Sequence, residues 1–321
     1  MSDEKKKPKE EKDTEGDVVI EPLPIGPTPN RSQITGKAGV FVDEFLDAID
    51  SEGVYKSMGV QPDKTFALTG PPGTGKTLAM RVLNTEANKE AYMHSFSENT
   101  DGSVDALVLP YNIGTQGTAY INRGSRKVQR FFDYCRRIAS SGIVTIVELD
   151  EADALLGARG RSQSHSEDHK VLETIMKNLQ EAHDYSGLYI VMMTNLPEIC
   201  DKAALRAGRL DRIIKFELPT LNERVAGFKM AESNVNERAG YKVVRGLDYT
   251  KLAESSDKFS YADIVETVNE AVKQRAKEIS KDRTHKIIPA GYATQKKVMG
   301  ALICHRASFK EKESKRIGYE K

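Results

Sequence analysis

Residues 70–77 of this 321-residue chain read Gly-Pro-Pro-Gly-Thr-Gly-Lys-Thr. A short apolar stretch, Phe66-Ala67-Leu68, precedes them, and a helix-forming run, Leu78-Ala79-Met80-Arg81-Val82-Leu83, follows. A strand, a glycine-rich turn and a helix in that order predict a phosphate-binding loop. Glycines let the backbone curl until several N–H groups face one anion, and the helix N-terminus behind them adds partial positive charge. Lys76 is expected to reach the outer phosphates of ATP, and the Thr77 hydroxyl to ligate Mg2+. Pro72, Gly73, Thr74, Gly75 and Leu78 complete the expected cofactor-binding stretch.

Downstream, a buried apolar run at 143–147 leads into Glu148-Leu149-Asp150-Glu151. Ligands of parallel sheets bind at the carboxyl ends of strands. Asp150 is therefore a candidate Mg2+ ligand, acting through water, and Glu151 a candidate to orient and polarise the attacking water. Asn195 ends the next apolar run, Leu188-Tyr189-Ile190-Val191-Met192-Met193, and its amide is a candidate partner for that water or for the outer phosphate. Glu148 does not fit the pattern. Period-two spacing puts it on the same strand face as Asp150, and a buried carboxylate must pair or take up a proton. Arg137 or a nearby lysine is the expected partner.

Apolar residues at helical spacing (Val40, Phe41, Phe45, Leu46 and Ile49) predict a helix before the loop, and residues 126–139 and 169–182 predict two more. Strands alternating with helices imply an α/β fold, a parallel sheet flanked by helices. After Pro219, residues 221–239, 248–255, 261–280 and 293–305 read as helices only. The expected organisation is a charged, proline-rich mobile tail over 1–30, a nucleotide-binding domain over 31–218 and a small helical domain over 219–321. Four prolines within residues 21–29 favour extended chain in the tail.

Residues 70–77, Leu149-Asp150-Glu151, Thr194-Asn195 and residues 201–212 together resemble the AAA ATPase family. The branch resembled includes proteasomal ATPases, protein unfoldases and membrane AAA proteases, and the resemblance covers about residues 31–308. It implies a ring, a hexamer above all, that hydrolyses Mg-ATP to remodel protein substrates. It implies that Arg206 and Arg209 act as arginine fingers at a neighbouring copy's ATP, where a guanidinium offsets charge developing at the γ-phosphate. It implies adenine-side contacts from Ile34 and Thr35, and a small residue, Ala262, facing the nucleotide from the second domain. Tyr261 stands where relatives usually have glycine. Tyr120 and Ile121 align with an aromatic–aliphatic pore loop, whose ring grips extended polypeptide without reading its sequence. The polar loop 157–168 aligns with a second pore loop.

Lysine and arginine number 48 against 47 aspartates and glutamates, a net charge of +1. That balance weighs against a general nucleic-acid binder, although Arg123 and a lysine-rich end keep a nucleic-acid motor as the alternative. A switch that uses ATP only to hold a partner is the other rival. The three cysteines, Cys135, Cys200 and Cys304, lack zinc or disulfide spacing, so a reducing compartment is expected. No apolar run approaches the roughly 20 residues that cross a bilayer, and no His-Glu-x-x-His sequence occurs. The expectation is a cytoplasmic ATPase with no membrane partner and no fused zinc protease, its partners being copies of itself and a protein substrate or adaptor.

Overall fold

The computed structural model describes residues 21–24, 29–89, 105–113, 124–152, 165–195, 210–281 and 293–318. These fall into two compact units, one within Met1–Pro71 and Lys76–Phe216, the other within Pro72–Gly75 and Glu217–Lys321.

The first unit is built on a five-stranded parallel sheet of β1 (Thr65–Thr69), β2 (Ala106–Asn112), β3 (Val144–Asp150), β4 (Leu188–Thr194) and β5 (Arg212–Lys215), in the order β2-β3-β4-β1-β5. Its helices are α1 (Gly36–Asp50), α2 (Glu52–Ser57), α3 (Lys76–Ala87), α4 (Gly124–Ser140) and α5 (His165–Glu181). Strand residues alternate between two cores, as their period of two requires. Phe66, Leu68, Val108, Ile146, Tyr189 and Val191 pack with α1 and α3. Ala67, Leu107, Leu109, Val147, Leu149 and Ile190 pack with α4 and α5. Every residue of β1 and β4 is buried, which explains their unbroken apolar reading. On α1 the aromatic face is Phe41 and Phe45, stacked against Phe66 and Tyr189, while Val40 of the expected apolar stripe is 45% exposed.

Two strands lie outside the sequence expectation. β2 contains Pro110, which cannot donate to a ladder and argues against a central strand. The sheet order resolves this, because among the described residues β2 is an edge strand paired only with β3. β5 is short, occupies the opposite edge, and Arg212 on it pairs with Asp63 at 2.7 Å. Part of the stretch expected to be a mobile tail is also held. Leu23 N–H donates to the Val108 carbonyl (2.9 Å), and the buried Asn84 amide donates to the carbonyls of Leu23 and Pro24 (3.4 and 3.1 Å).

The second unit holds α6 (Leu221–Ala239), α7 (Tyr249–Ser255), α8 (Tyr261–Lys281) and α9 (Gln295–Gly318). Thr220 and Glu223 form a capping box at the start of α6, and Gly240, at φ +72°, ends it in the left-handed conformation. Phe228, Leu252, Ile264, Val268, Val298 and Leu302 form its core. Tyr261 lies over the bare backbone of Gly227. The last helix runs well past the 305 expected from apolar spacing, since its continuation is charged and carries no such signal.

Candidate functional site

The loop at 70–77 follows β1 and ends where α3 begins. Gly70, Gly73 and Gly75 have φ of +139°, +77° and +100°, a region that L side chains rarely adopt. Space excludes larger residues as well. A Cβ on Gly70 would collide with the Phe216 carbonyl oxygen, and one on Gly73 would sit 2.6 Å from Ser260 Oγ. Lys76, the first residue of α3, is 9% exposed. Its ammonium donates to the carbonyls of Gly70 (2.7 Å) and Pro71 (2.9 Å) and to Asn195 Oδ1 (3.0 Å). Three donors meet three oxygens on the loop and at the end of β4. Thr74 is buried, Leu78 half-buried, and Pro72 and Thr77 exposed.

The partner strands bring the other candidates to the same sheet edge. β1 pairs with β4 so that Thr69 lies beside Thr194, and β3 pairs with β4 so that Leu149 lies beside Met192. Asp150 therefore closes β3, and Asn195 follows β4, at the end where the loop leaves β1. Asp150 Oδ1 accepts from the Glu151 N–H at 2.8 Å. Glu151 is exposed and sits at φ +55°, a left-handed conformation uncommon outside glycine. Such outliers concentrate where a site holds a side chain in one direction.

Glu148 is 5% exposed, and its Oε2 has no hydrogen-bond partner among the described residues. Burial first, then the charge of Asp150, pushes its carboxyl up to about 7, against the opposing pull of Arg81. The expected pairing with Arg137 does not form. Arg137 lies over the Tyr134 ring instead, because α4 covers the other face of the sheet from Glu148.

Ile34 is 5% exposed in the same core as Ala79 and Leu78 of α3, and Thr35 is the N-cap of α1. In the second unit, the Ala262 N–H donates to the Gly73 carbonyl at 3.1 Å. Three residues that sequence reasoning did not assign to the site stand behind that contact. Ser260 N–H and Oγ donate to Asp263 Oδ2 (2.8 and 2.6 Å), and Asp263 Oδ1 meets His305 Nε2 at 3.2 Å. Ser260 and Asp263 have the spacing of a capping box, a legible signal, whereas His305 has none. Asp211, within the 201–212 segment, ties the chain to the start of β1 by accepting from Lys64 N–H, Thr65 N–H and Thr65 Oγ1 (2.7–2.9 Å). Arg206, Arg209, Tyr120 and Ile121 lie outside the described residues, as does most of the loop 157–168, whose last four residues already belong to α5.

A curled loop with three positive-φ glycines, an ammonium among oxygens and an adjacent carboxylate pair fit Mg-ATP in donor set and shape. The fold and site define a P-loop nucleotide-binding domain. Residues 66–218 match the family described as "ATPase family associated with various cellular activities (AAA)", and the chain carries an AAA ATPase domain, whose cofactors are ATP and Mg2+. Curated relatives include an ATP-dependent zinc metalloprotease FtsH of Parabacteroides distasonis, 32% identical over 72% of this chain and 30% of the relative. The FtsH 1 protein of Methylacidiphilum infernorum is 28% identical over 87% of this chain and 39% of its own length. The chloroplastic FTSH 5 protein of Arabidopsis thaliana is 30% identical over 77% and 32%. The chain thus spans about a third of the length of these relatives. No helix among the described residues is long and apolar enough to cross a membrane.

Proposed function

We propose that the chain is the ATP-hydrolysing part of a ring-forming motor, a hexamer, that remodels or unfolds proteins by threading them through a central pore. The observation that carries this reading is the Lys76 ammonium bonded to both the loop and Asn195, at the sheet edge that also ends in Asp150 and Glu151. The reading divides the chain into a nucleotide-binding domain over 31–218 and a helical domain over 219–321.

ATP supplies the phosphoryl group that passes to water, and Mg2+ supplies counter-charge to its oxygens. Lys76 and the N–H groups of residues 73–77 would hold the phosphates, while Thr77 and Asp150 would hold the cation. The exposed Glu151 carboxylate polarises the attacking water and takes its proton, and Asn195 orients that water. Ile34, Thr35 and Ala262 contact the nucleoside. Arg206 and Arg209 of a neighbouring copy meet the γ-phosphate, which makes turnover depend on assembly. Tyr120 and Ile121 grip the substrate. The protease activity in the relatives' names is not part of this proposal.

The test uses Glu151→Gln, which retains ATP but hydrolyses it very slowly. The variant is isolated from its native cell with ATP present, and what accompanies it is analysed. Enrichment of particular proteins that is lost on adding Tyr120→Ala is the expected result. Nuclease-sensitive DNA or RNA in their place would overturn protein threading in favour of a nucleic-acid motor.

A further inference from the structure

We propose that Arg31 is a positioning residue that fixes the backbone of the adenine-side segment and thereby sets which nucleobase the site accepts. The inference rests on the reading of Ile34 and Thr35 as nucleoside contacts.

Arg31 opens a short 3-10 turn, Arg31–Gln33, capped by the Asn30 side chain, which accepts from Ser32 N–H. The turn is tied to α3 by its own backbone, where Arg31 N–H donates to Glu86 Oε1 at 2.8 Å. The side chain then reaches to α1. Nε and Nη2 donate to the two Asp43 oxygens, both at 2.8 Å, a bidentate fork that fixes the plane of the guanidinium. Its remaining arm, Nη1, donates to the Ile34 carbonyl at 3.2 Å. One residue thus joins α3, α1 and the carbonyl in the middle of the candidate base-binding segment.

The fit needs a missing side chain. Gly39 lies on α1, and a Cβ there would sit 2.6 Å from Nη2, 2.8 Å from Nη1 and 2.9 Å from Cζ of Arg31. The guanidinium rests against bare helix backbone. Gly39 has an ordinary helical φ, so alanine is permitted by conformation and favoured by helix propensity. The obstacle is the far end of one flexible side chain, which can swing away. The Arg31 and Asp43 side chains are 40% and 60% exposed, and ion pairs so placed add little to stability. What the clamp fixes is geometry. Recognition of a base edge depends on backbone atoms held within a fraction of an ångström.

The experiment measures ATP and GTP dissociation constants by competition with a fluorescent nucleotide, and KM and kcat for ATP, on the full chain. Arg31→Ala, Asp43→Asn and Gly39→Ala are compared, each checked by thermal melting. Each is expected to melt close to the parent, weaken ATP and narrow the ATP-to-GTP preference by about tenfold, with the loss in KM and not in kcat. Gly39→Ala in the Arg31→Ala background is expected to add nothing, because the three atoms nearest the new methyl all belong to the Arg31 side chain. A folded Gly39→Ala protein with the parent's preference would overturn the proposal, as would additive effects in the double variant. A parent that binds ATP and GTP alike would instead remove the reading of Ile34 and Thr35 on which the proposal rests.

Discussion

Glu52→Gln tests the buried charge network that joins α2 to the sheet. Lys64, just before β1, has a fully buried side chain. Its ammonium donates to Glu52 Oε1 at 3.0 Å and to the Tyr185 carbonyl. Glu52, whose side chain is 11% exposed, also accepts from the Tyr189 hydroxyl (2.8 Å), the Ser186 hydroxyl (3.2 Å) and the Gly187 N–H (3.1 Å). Burial alone would raise the Glu52 carboxyl. Hydrogen bonds from Lys56, Tyr189 and Lys64, and the charge of Lys64, outweigh it and bring the carboxyl to about 2. Relative to its usual 4.5, and at about 1.4 kcal/mol for each pH unit, the folded carboxylate stabilises the unit by about 3 kcal/mol above pH 4.5. That contribution is lost as pH falls from 4.5 through 2, because a depressed acid is protonated more readily in the unfolded chain.

Glutamine keeps the shape and the hydrogen bond from Tyr189 but leaves the Lys64 ammonium buried without its counter-charge, a loss of about 3–5 kcal/mol. Urea denaturation followed by circular dichroism should show the variant about 3 kcal/mol less stable at pH 7. The gap should stay flat down to about pH 5 and narrow by about 1 kcal/mol at pH 3.5. A gap that is constant across this range would refute the charge argument and leave packing as the cause. Adding Lys64→Met should recover most of the loss, since a buried pair replaced as a whole is close to neutral.

Lys76→Ala should abolish nucleotide binding, and calorimetry with Mg-ATP checks it; an unchanged affinity would exclude the role given to its ammonium. Gly70→Ala should prevent the first unit from folding, by about 3 kcal/mol or more, because its φ of +139° is strained for alanine and its Cβ meets the Phe216 carbonyl. Soluble expression and melting against the parent read this out, and a normal melting point would contradict the loop geometry. Arg206→Ala should bind ATP normally and lose turnover by ~10³-fold, as other arginine fingers do. Near-normal hydrolysis by a homogeneous preparation of that variant would remove the trans-finger assignment.

What the sequence revealed and what it concealed follow the range of the contacts. The phosphate loop and the ends of β3 and β4 are local patterns, each complete within a few residues, so spacing alone exposes them, whereas the Ser260–Asp263 box, equally local, went unread. The central strands are apolar throughout because helices cover both faces. β2 was hidden by Pro110, a residue acceptable only because the strand lies at the edge, a property of the assembled sheet. The strap at Leu23 was hidden for a related reason. Its anchors, Val108 and Asn84, are more than 60 residues away, and Pro22 and Pro24 look like unstructured chain until that edge is present.

Glu148 shows the limit from the other side. Periodicity gave its face correctly, but its charge environment depends on which helix covers that face. α3, carrying Arg81, lies there, and α4, carrying Arg137, lies opposite. Pro110, its neighbour on β2, has no N–H to offer, and Val191, its neighbour on β4, is apolar. The carboxylate is therefore kept two residues from Asp150 with its Oε2 unpartnered among the described residues. An apolar residue would serve the sheet better at that point. Burial that pushes the carboxyl up to about 7 is a net cost to folding at neutral pH, because the unfolded chain ionises the group freely, and the apolar packing around it must offset that cost.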